Sequence, residues 1–124
     1  MKNLVNEWVS KAQEDYSVAM GLLRRRKLPS DTICFHCQQT VEKLLKALLQ
    51  KKGVRFGRVH DLEALYRLLD ETGPLELLRD DLKLLSDYAV KYRYPGQNAT
   101  TRQARAAGKA MCRIRTAIRA TLKD

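Results

Sequence analysis

The chain has 124 residues, the size of a single domain, since domains run to roughly 100–200 residues, and at that size a core can be buried without a disulfide or a metal. A hydrophobic fraction of 44% beside a charged fraction of 31%, with only six Gly and three Pro, excludes a disordered chain, a collagen-like chain and a many-turned β-sandwich. The formal net charge of +10 and the pI near 9.8 favour polyanionic partners such as nucleic acid, nucleotides or acidic proteins.

The periodicity is helical almost throughout. Val5, Trp8, Ala12, Tyr16, Ala19 and Leu23 recur every three or four residues, which predicts a first helix from about residue 3 to about residue 26, stopping before Pro29. Ser30 or Asp31 is the expected N-cap of a second helix, striped by Ile33, Cys37, Val41, Leu44, Leu45 and Leu48 and ended by Gly53. Residues 54–59 read as a loop. His60-Asp61 caps a short third helix bearing Leu62, Leu65, Leu68 and Leu69, closed by Gly73. Pro74 suits the first turn of a fourth, which carries Leu75, Leu78, Leu82, Leu85, Tyr88, Ala89 and Tyr92 and stops at Pro95-Gly96. Thr100 or Thr101 starts a fifth, whose apolar stripe is Ala104, Ala107, Met111, Ile114, Ile118 and Leu122. At about 100° per residue, Arg102, Arg105, Lys109 and Arg113 fall on the opposite side. No segment alternates with period two. The expected architecture is all-α: an antiparallel up-and-down four-helix bundle with an additional short helix, formed by residues 1–124 as one domain.

The first residues, MKNLVNEWVS, are charged and polar, unlike a signal peptide, and Lys46 interrupts the most apolar run, Leu44–Leu49, so no membrane span is expected. With three Cys, an odd number, a reduced cytoplasmic protein is the simplest expectation. The charge is concentrated: residues 91–124 hold nine basic residues and one acid, leaving a net of only +2 to residues 1–90. A second cluster, Arg24-Arg25-Arg26-Lys27, precedes Pro29 and also suits the negative end of a helix dipole.

Cys34 and Cys37 are near neighbours on one helical face, but a closed zinc site needs two further ligands; His36 lies on another side, and His60 and Cys112 are far along the chain. No metal site and no cofactor are expected. His36 and His60 are the only histidines, each a possible general base. No Gly-rich phosphate loop, HExxH pattern or paired carboxylates appear.

Four stretches carry a family signature. They are Trp8 with Ala12-x-x-Asp15-Tyr16; His36-x-Gln38-Gln39-x-x-Glu42-Lys43-x-x-Lys46-Ala47; His60-Asp61-Leu62-x-x-Leu65; and Tyr88-x-x-x-Tyr92-Arg93-Tyr94-Pro95. In this order and spacing the chain resembles the HEPN domain (higher eukaryotes and prokaryotes nucleotide-binding), in its small stand-alone prokaryotic branch. The resemblance implies a helical bundle, a homodimer and a nucleotide- or RNA-related role. It also implies pairing with a minimal nucleotidyltransferase, in a toxin–antitoxin arrangement whose toxin is the HEPN member. Active members are metal-independent RNases with an Arg-x(4–6)-His motif near the start of the last helix, completed across the dimer. Their Arg neutralises the scissile phosphate and their His moves a proton.

This sequence departs from that motif. Arg93 is the best-placed Arg, yet Asn98, Ala99 and Thr100 occupy the slots for the His, and no His follows His60. Asn98 can hydrogen-bond a phosphate or a base but cannot titrate near neutral pH. The expected function is therefore nucleotide or RNA binding beside a nucleotidyltransferase, without a catalytic residue from the family motif. The alternatives are a metal-independent endoribonuclease using His36 or His60, and a non-catalytic dimeric scaffold. Arg93 and Tyr94 are the first candidates for binding, as a cation beside an aromatic grips a phosphate and stacks a base. Asn98, Lys43, Lys46, His60, Arg102, Arg105 and Lys109 complete the set. Several motif residues have a structural reading too: Gln38 and Gln39 as interhelix hydrogen-bond partners, Glu42-Lys43 as part of an internal ion pair, Lys46 as the i+4 partner of Glu42, Tyr88 and Tyr92 as core with wet hydroxyls.

Overall fold

A computed structural model describes residues 3–69, 73–92 and 94–123. Five α-helices form among these residues: α1 (Leu4–Leu23), α2 (Ser30–Lys51), α3 (Leu62–Leu69), α4 (Arg79–Lys91) and α5 (Thr101–Leu122). No strand occurs among the described residues.

Local chemistry sets most of the ends. Asn3 caps α1 by accepting from the Asn6 N–H at 3.2 Å. The α2 terminus is a Schellman turn: Gly53 takes φ 70°, its N–H reaches the Gln50 carbonyl, and the Val54 N–H returns to the Leu49 carbonyl at 3.0 Å. Asp61 accepts from the Glu63 N–H at 2.9 Å ahead of α3. Thr100 and Gln103 form a reciprocal capping box at the start of α5, with bonds of 3.1 and 2.8 Å.

Three sequence expectations need correction. α1 stops at Leu23 rather than near residue 26, and Arg24–Lys27 form an open turn. Pro29, not Ser30 or Asp31, is the N-cap of α2, without a side-chain cap bond. Asp31 lies inside the first turn, and its carboxylate accepts the Ala99 N–H at 2.6 Å instead. The Pro74 segment forms a 3₁₀ turn over Glu76–Leu78 before α4 starts at Arg79; Leu77 is left 87% exposed.

The apolar stripes meet in one core. Ile33, Leu45, Leu48 and Leu49 of α2 pack with Leu62 and Leu65 of α3, Leu82 and Leu85 of α4, and Met111, Ile114 and Ile118 of α5, all essentially without exposure. Each such side chain contributes about 1.5–3 kcal/mol by leaving water; Leu45→Ala would forfeit that and leave a cavity, about 2–5 kcal/mol in all.

The long helices run up, down, up, down in the order α1, α2, α4, α5. α1 is antiparallel to α5: Leu23 packs on Gly108, where a Cβ would stand 2.7 Å from Leu23 Cδ1, while Gln13 takes a hydrogen bond from Arg115 at 3.0 Å. α4 is antiparallel to α5, pinned by the bidentate Arg113–Asp81 pair at 2.8 and 2.9 Å. The diagonal pair, α2 and α5, runs in the same direction and packs together. Their first turns meet through Asp31 and Ala99, and their last turns through the Lys51 ammonium, which donates to the Leu122 carbonyl at 2.6 Å. Both helix N-termini therefore lie at one end of the bundle.

Candidate functional site

α2 lies at the centre, so its polar residues must find partners inside the protein. Lys46 is 4% exposed. Its ammonium donates to Glu42 at 3.1 Å, one turn back, and lies 5.4 Å from the Trp8 ring centre and 5.7 Å from that of Phe56. The two rings meet edge-on at 5.8 Å. A buried cation is thus held by one carboxylate and two aromatic faces. The other Glu42 oxygen accepts from Gln38 at 3.2 Å, and His60 Nδ1 reaches Glu42 Oε2 at 3.1 Å. Gln38 also donates to the His60 carbonyl at 3.4 Å. On the α1 side, Asp15 bridges His36 Nδ1, at 2.9 Å, and the Lys43 ammonium. Of the binding candidates, Lys43 and Lys46 are therefore engaged within the bundle, and Lys46 faces its interior.

Cys34 and Cys37 sit in the same interior. Burial, with help from the Asp31 carboxylate, pushes the Cys34 thiol up to about 12. Burial raises Cys37 further, with Cys34 and Cys112 adding to it. Both thiols are neutral at physiological pH, which suits a core and not a soft-metal site. Among the described residues no group of three or more His, Cys, Asp or Glu side chains could hold a metal ion.

A cleft of about 610 Å³ opens between α2, the His60–Glu63 segment and α4. Glu42, Asp61, Glu63 and Asp87 line it against one cation, Lys83, with Gln38, Gln39, His60 and Ser86 between them. The Ser86 hydroxyl is buried there without a hydrogen-bond partner among the described residues. With Nδ1 at Glu42, the other ring nitrogen of His60, Nε2, has no hydrogen-bond partner among the described residues. This concavity is acidic in a basic protein, and an anion gains nothing there.

The opposite field lies on α5. Arg102, Arg105 and Lys109 are exposed on its outer face, and none of the three is ion-paired or hydrogen-bonded among the described residues. They line a shallow depression of about 440 Å³ with Thr101 and Ala106. Arg113 and Arg115 are committed elsewhere: Arg113 to Asp81, Arg115 to Gln13 and to the face of Tyr16 at 3.8 Å. Tyr94 is 63% exposed on the α4–α5 connection. Asn98 lines a second depression, of about 320 Å³, with Leu28, Pro29, Ser30, Asp31, Thr32 and Ala99. Arg93 lies outside the described residues. Tyr94, Asn98, Arg102, Arg105 and Lys109 thus share the end and outer face of α5, whereas His60 stands at the acidic cleft. The carboxylate–histidine pairs and the acidic cleft escape sequence reasoning, because Asp15 and His36 are 21 residues apart and Glu42 and His60 are 18 apart. Their presence in the quoted motifs was the available signal.

Among the described residues no helix is long and apolar enough to cross a membrane. A search of curated proteins found no match. Two crystal structures share the fold. ST0689, an archaeal HEPN homologue, is 25% identical, with a TM-score of 0.75 and 98% of each chain covered. TT1696 from Thermus thermophilus is 22% identical, with a TM-score of 0.75 over 95% of this chain and 98% of its own. The HEPN domain family model matches residues 5–121, nearly the whole chain, and with the fold and motifs in agreement this protein belongs to the HEPN family.

Proposed function

We propose that this HEPN protein binds a nucleotide or RNA through the outer face of α5 and works beside a minimal nucleotidyltransferase as a cytoplasmic prokaryotic homodimer. The observation that carries the reading is the set Arg102, Arg105 and Lys109, unpaired among the described residues, with exposed Tyr94 on the connection that leads into the same helix. Cations with no internal anion keep their full attraction for phosphate, and an exposed aromatic at the same end of the bundle offers a stacking face. Without a His among residues 98–100, the family's RNase route lacks its proton carrier. The nucleotidyltransferase and the dimer rest on the family alone.

The endoribonuclease reading has one observation in its favour, the His60–Glu42 pair at the mouth of the cleft. Asp61, Glu63 and Asp87, set against the single lysine that lines the cleft, work against it, since they repel a phosphodiester. The test titrates a nucleotide and a short RNA against wild type, Arg93→Ala, Arg105→Ala and His60→Ala, and incubates the RNA with each. The proposal expects weaker binding in both Arg variants and intact RNA throughout. Arg93→Ala should lose a charged hydrogen bond worth roughly 1.5–3 kcal/mol. Metal-free cleavage lost in His60→Ala would establish the nuclease; unchanged affinity in both Arg variants would reject the α5 site. Co-purification from the native host tests for the nucleotidyltransferase.

A further inference from the structure

The Arg24–Lys27 cluster follows α1 as an exposed turn, and two contacts fix where it lies. On one side Leu23, the residue before it, packs on Gly108 of α5. On the other, Leu28 and Pro29, the residues after it, share a depression with Asn98 and Ala99, which precede α5. The turn is therefore held alongside the first two turns of α5, the stretch that carries Arg102 and Arg105. Arg24, Arg25, Arg26 and Lys27 are all exposed, and none is ion-paired or hydrogen-bonded through its side chain among the described residues. With Arg102, Arg105 and Lys109 they make one surface of cations that the described residues leave unpaired. The next carboxylate along the chain is Asp31, and it is engaged by the Ala99 N–H.

We propose that the α1–α2 turn and the outer face of α5 form one continuous track for a single-stranded polynucleotide, several phosphates long, and not a pocket for a mononucleotide. This rests on the phosphate-binding reading of α5 and extends it to a second element. Three observations favour the longer ligand. Arg102 and Lys109 are separated by seven residues, about 10 Å of helix. The turn lies beside that helix, at a lateral offset of about 8–10 Å if it follows ordinary helix packing. The seven cations of the turn and α5 outnumber the charges that one mononucleotide carries, so together they are met only by a run of separate phosphates. The depressions on this face are shallow, whereas a small ligand's pocket encloses most of its surface. Exposed Tyr94, at the same end, stacks a base of any identity, the mode that suits a strand read by its backbone.

The experiment measures binding of a fluorescein-labelled uridine 12-mer by anisotropy from low to moderate salt, with ATP as the mononucleotide and anionic phosphatidylglycerol vesicles as the competing polyanion. The proteins are wild type, the triple variant Arg24→Ala/Arg25→Ala/Arg26→Ala, its Arg→Lys counterpart, and Arg102→Ala/Arg105→Ala. Each phosphate neutralised on a single strand contributes about 0.7 to the slope of log affinity against log salt. The triple Ala variant should lower that slope by about 2, the Lys variant should keep it, and ATP should bind at least tenfold more weakly than the 12-mer. All the changed residues are exposed, and circular dichroism checks that each variant keeps its helices. A triple variant with the wild-type slope, while Arg102→Ala/Arg105→Ala still loses binding, overturns the track and leaves the α5 site standing. No binding of the 12-mer or of ATP by wild type removes both readings. ATP binding as tight as the 12-mer overturns the polynucleotide assignment, as does tighter binding to the vesicles that is lost in the triple variant.

Discussion

α2 and α5 are both 22 residues long, run in the same direction and pack on each other, yet they use charge in opposite ways. Thirteen residues of α2 are buried, against seven of α5. α2 is covered by neighbours on most sides, so its ionisable groups are answered internally: Glu42 by Lys46, Gln38 and His60; Lys43 and His36 by Asp15. α5 buries one stripe and turns Arg102, Arg105 and Lys109 outward, where the described residues offer them nothing. A lysine or arginine thus reports a ligand only where the fold leaves it without a partner, and its helix's place in the bundle decides that.

The contrast can be broken hardest at Glu42. Glu42→Ala strands the Lys46 ammonium among Trp8, Phe56 and the core, and the expected loss is about 3–5 kcal/mol by urea denaturation. The oligonucleotide affinity of the folded fraction should not move. A loss under 1 kcal/mol, roughly that of a surface pair, would mean that α2 is wetter than its geometry implies.

The α2 thiols give the next effect. Folded Cys34 and Cys37 have raised pKa values, so their contribution is complete below the unfolded value near 9.0 and is lost as pH climbs toward about 12 and beyond. In that window the unfolded chain ionises first. Stability should fall by roughly 3 kcal/mol for the two thiols between pH 9 and 10.5, measured against a Cys34→Ala/Cys37→Ala chain. An identical pH profile in the two proteins would sink the prediction.

The seam between α1 and α5 comes third. Gly108→Val collides with Leu23 Cδ1, and overpacking should cost about 1–3 kcal/mol. Gly108→Ala should cost less, because the atom it meets is the end of a mobile side chain and the helix gains from losing glycine. Equal thermal midpoints for the Val variant and wild type would show that the seam is loose.

The smallest effect belongs to Asp81→Asn. Arg113 is more than half exposed, so breaking its pair should cost no more than about 1 kcal/mol. Its value lies in binding: it releases a further cation onto the α5 surface, and the oligonucleotide salt slope should steepen slightly. A shallower slope would place Arg113 away from the track.

Apolar periodicity made the helices legible, because a stripe of leucines every three or four residues specifies both the element and its inward face. Asp61 and Gly53 marked ends correctly because capping is local chemistry. Of the four leucines on the short third helix, Leu68 is left 38% exposed, since a helix of eight residues covers only one face. The site was legible in part. Arg102, Arg105 and Lys109 could be placed opposite the apolar stripe by angle alone. Lys46 could not be assigned to the interior, because Trp8 and Phe56, which enclose it with Glu42, come from 38 residues before it and 10 after. The parallel pairing of α2 with α5 is equally silent in sequence, being fixed by contacts such as that between Asp31 and Ala99, 68 residues apart.

That pairing bears on how the chain assembles. α1 and α2 are joined by a short turn, and their contacts close small loops, whereas α5 meets α2 only after the intervening chain has been brought round. Loop-closure entropy favours the early hairpin. The α1–α2 hairpin is then the natural nucleus and α5 the last element to dock. Substitutions within the hairpin should slow refolding, and those along the buried stripe of α5 should chiefly hasten unfolding. In stopped-flow chevrons, a Leu45→Ala change would lower the refolding arm, while Ile118→Val would raise the unfolding arm.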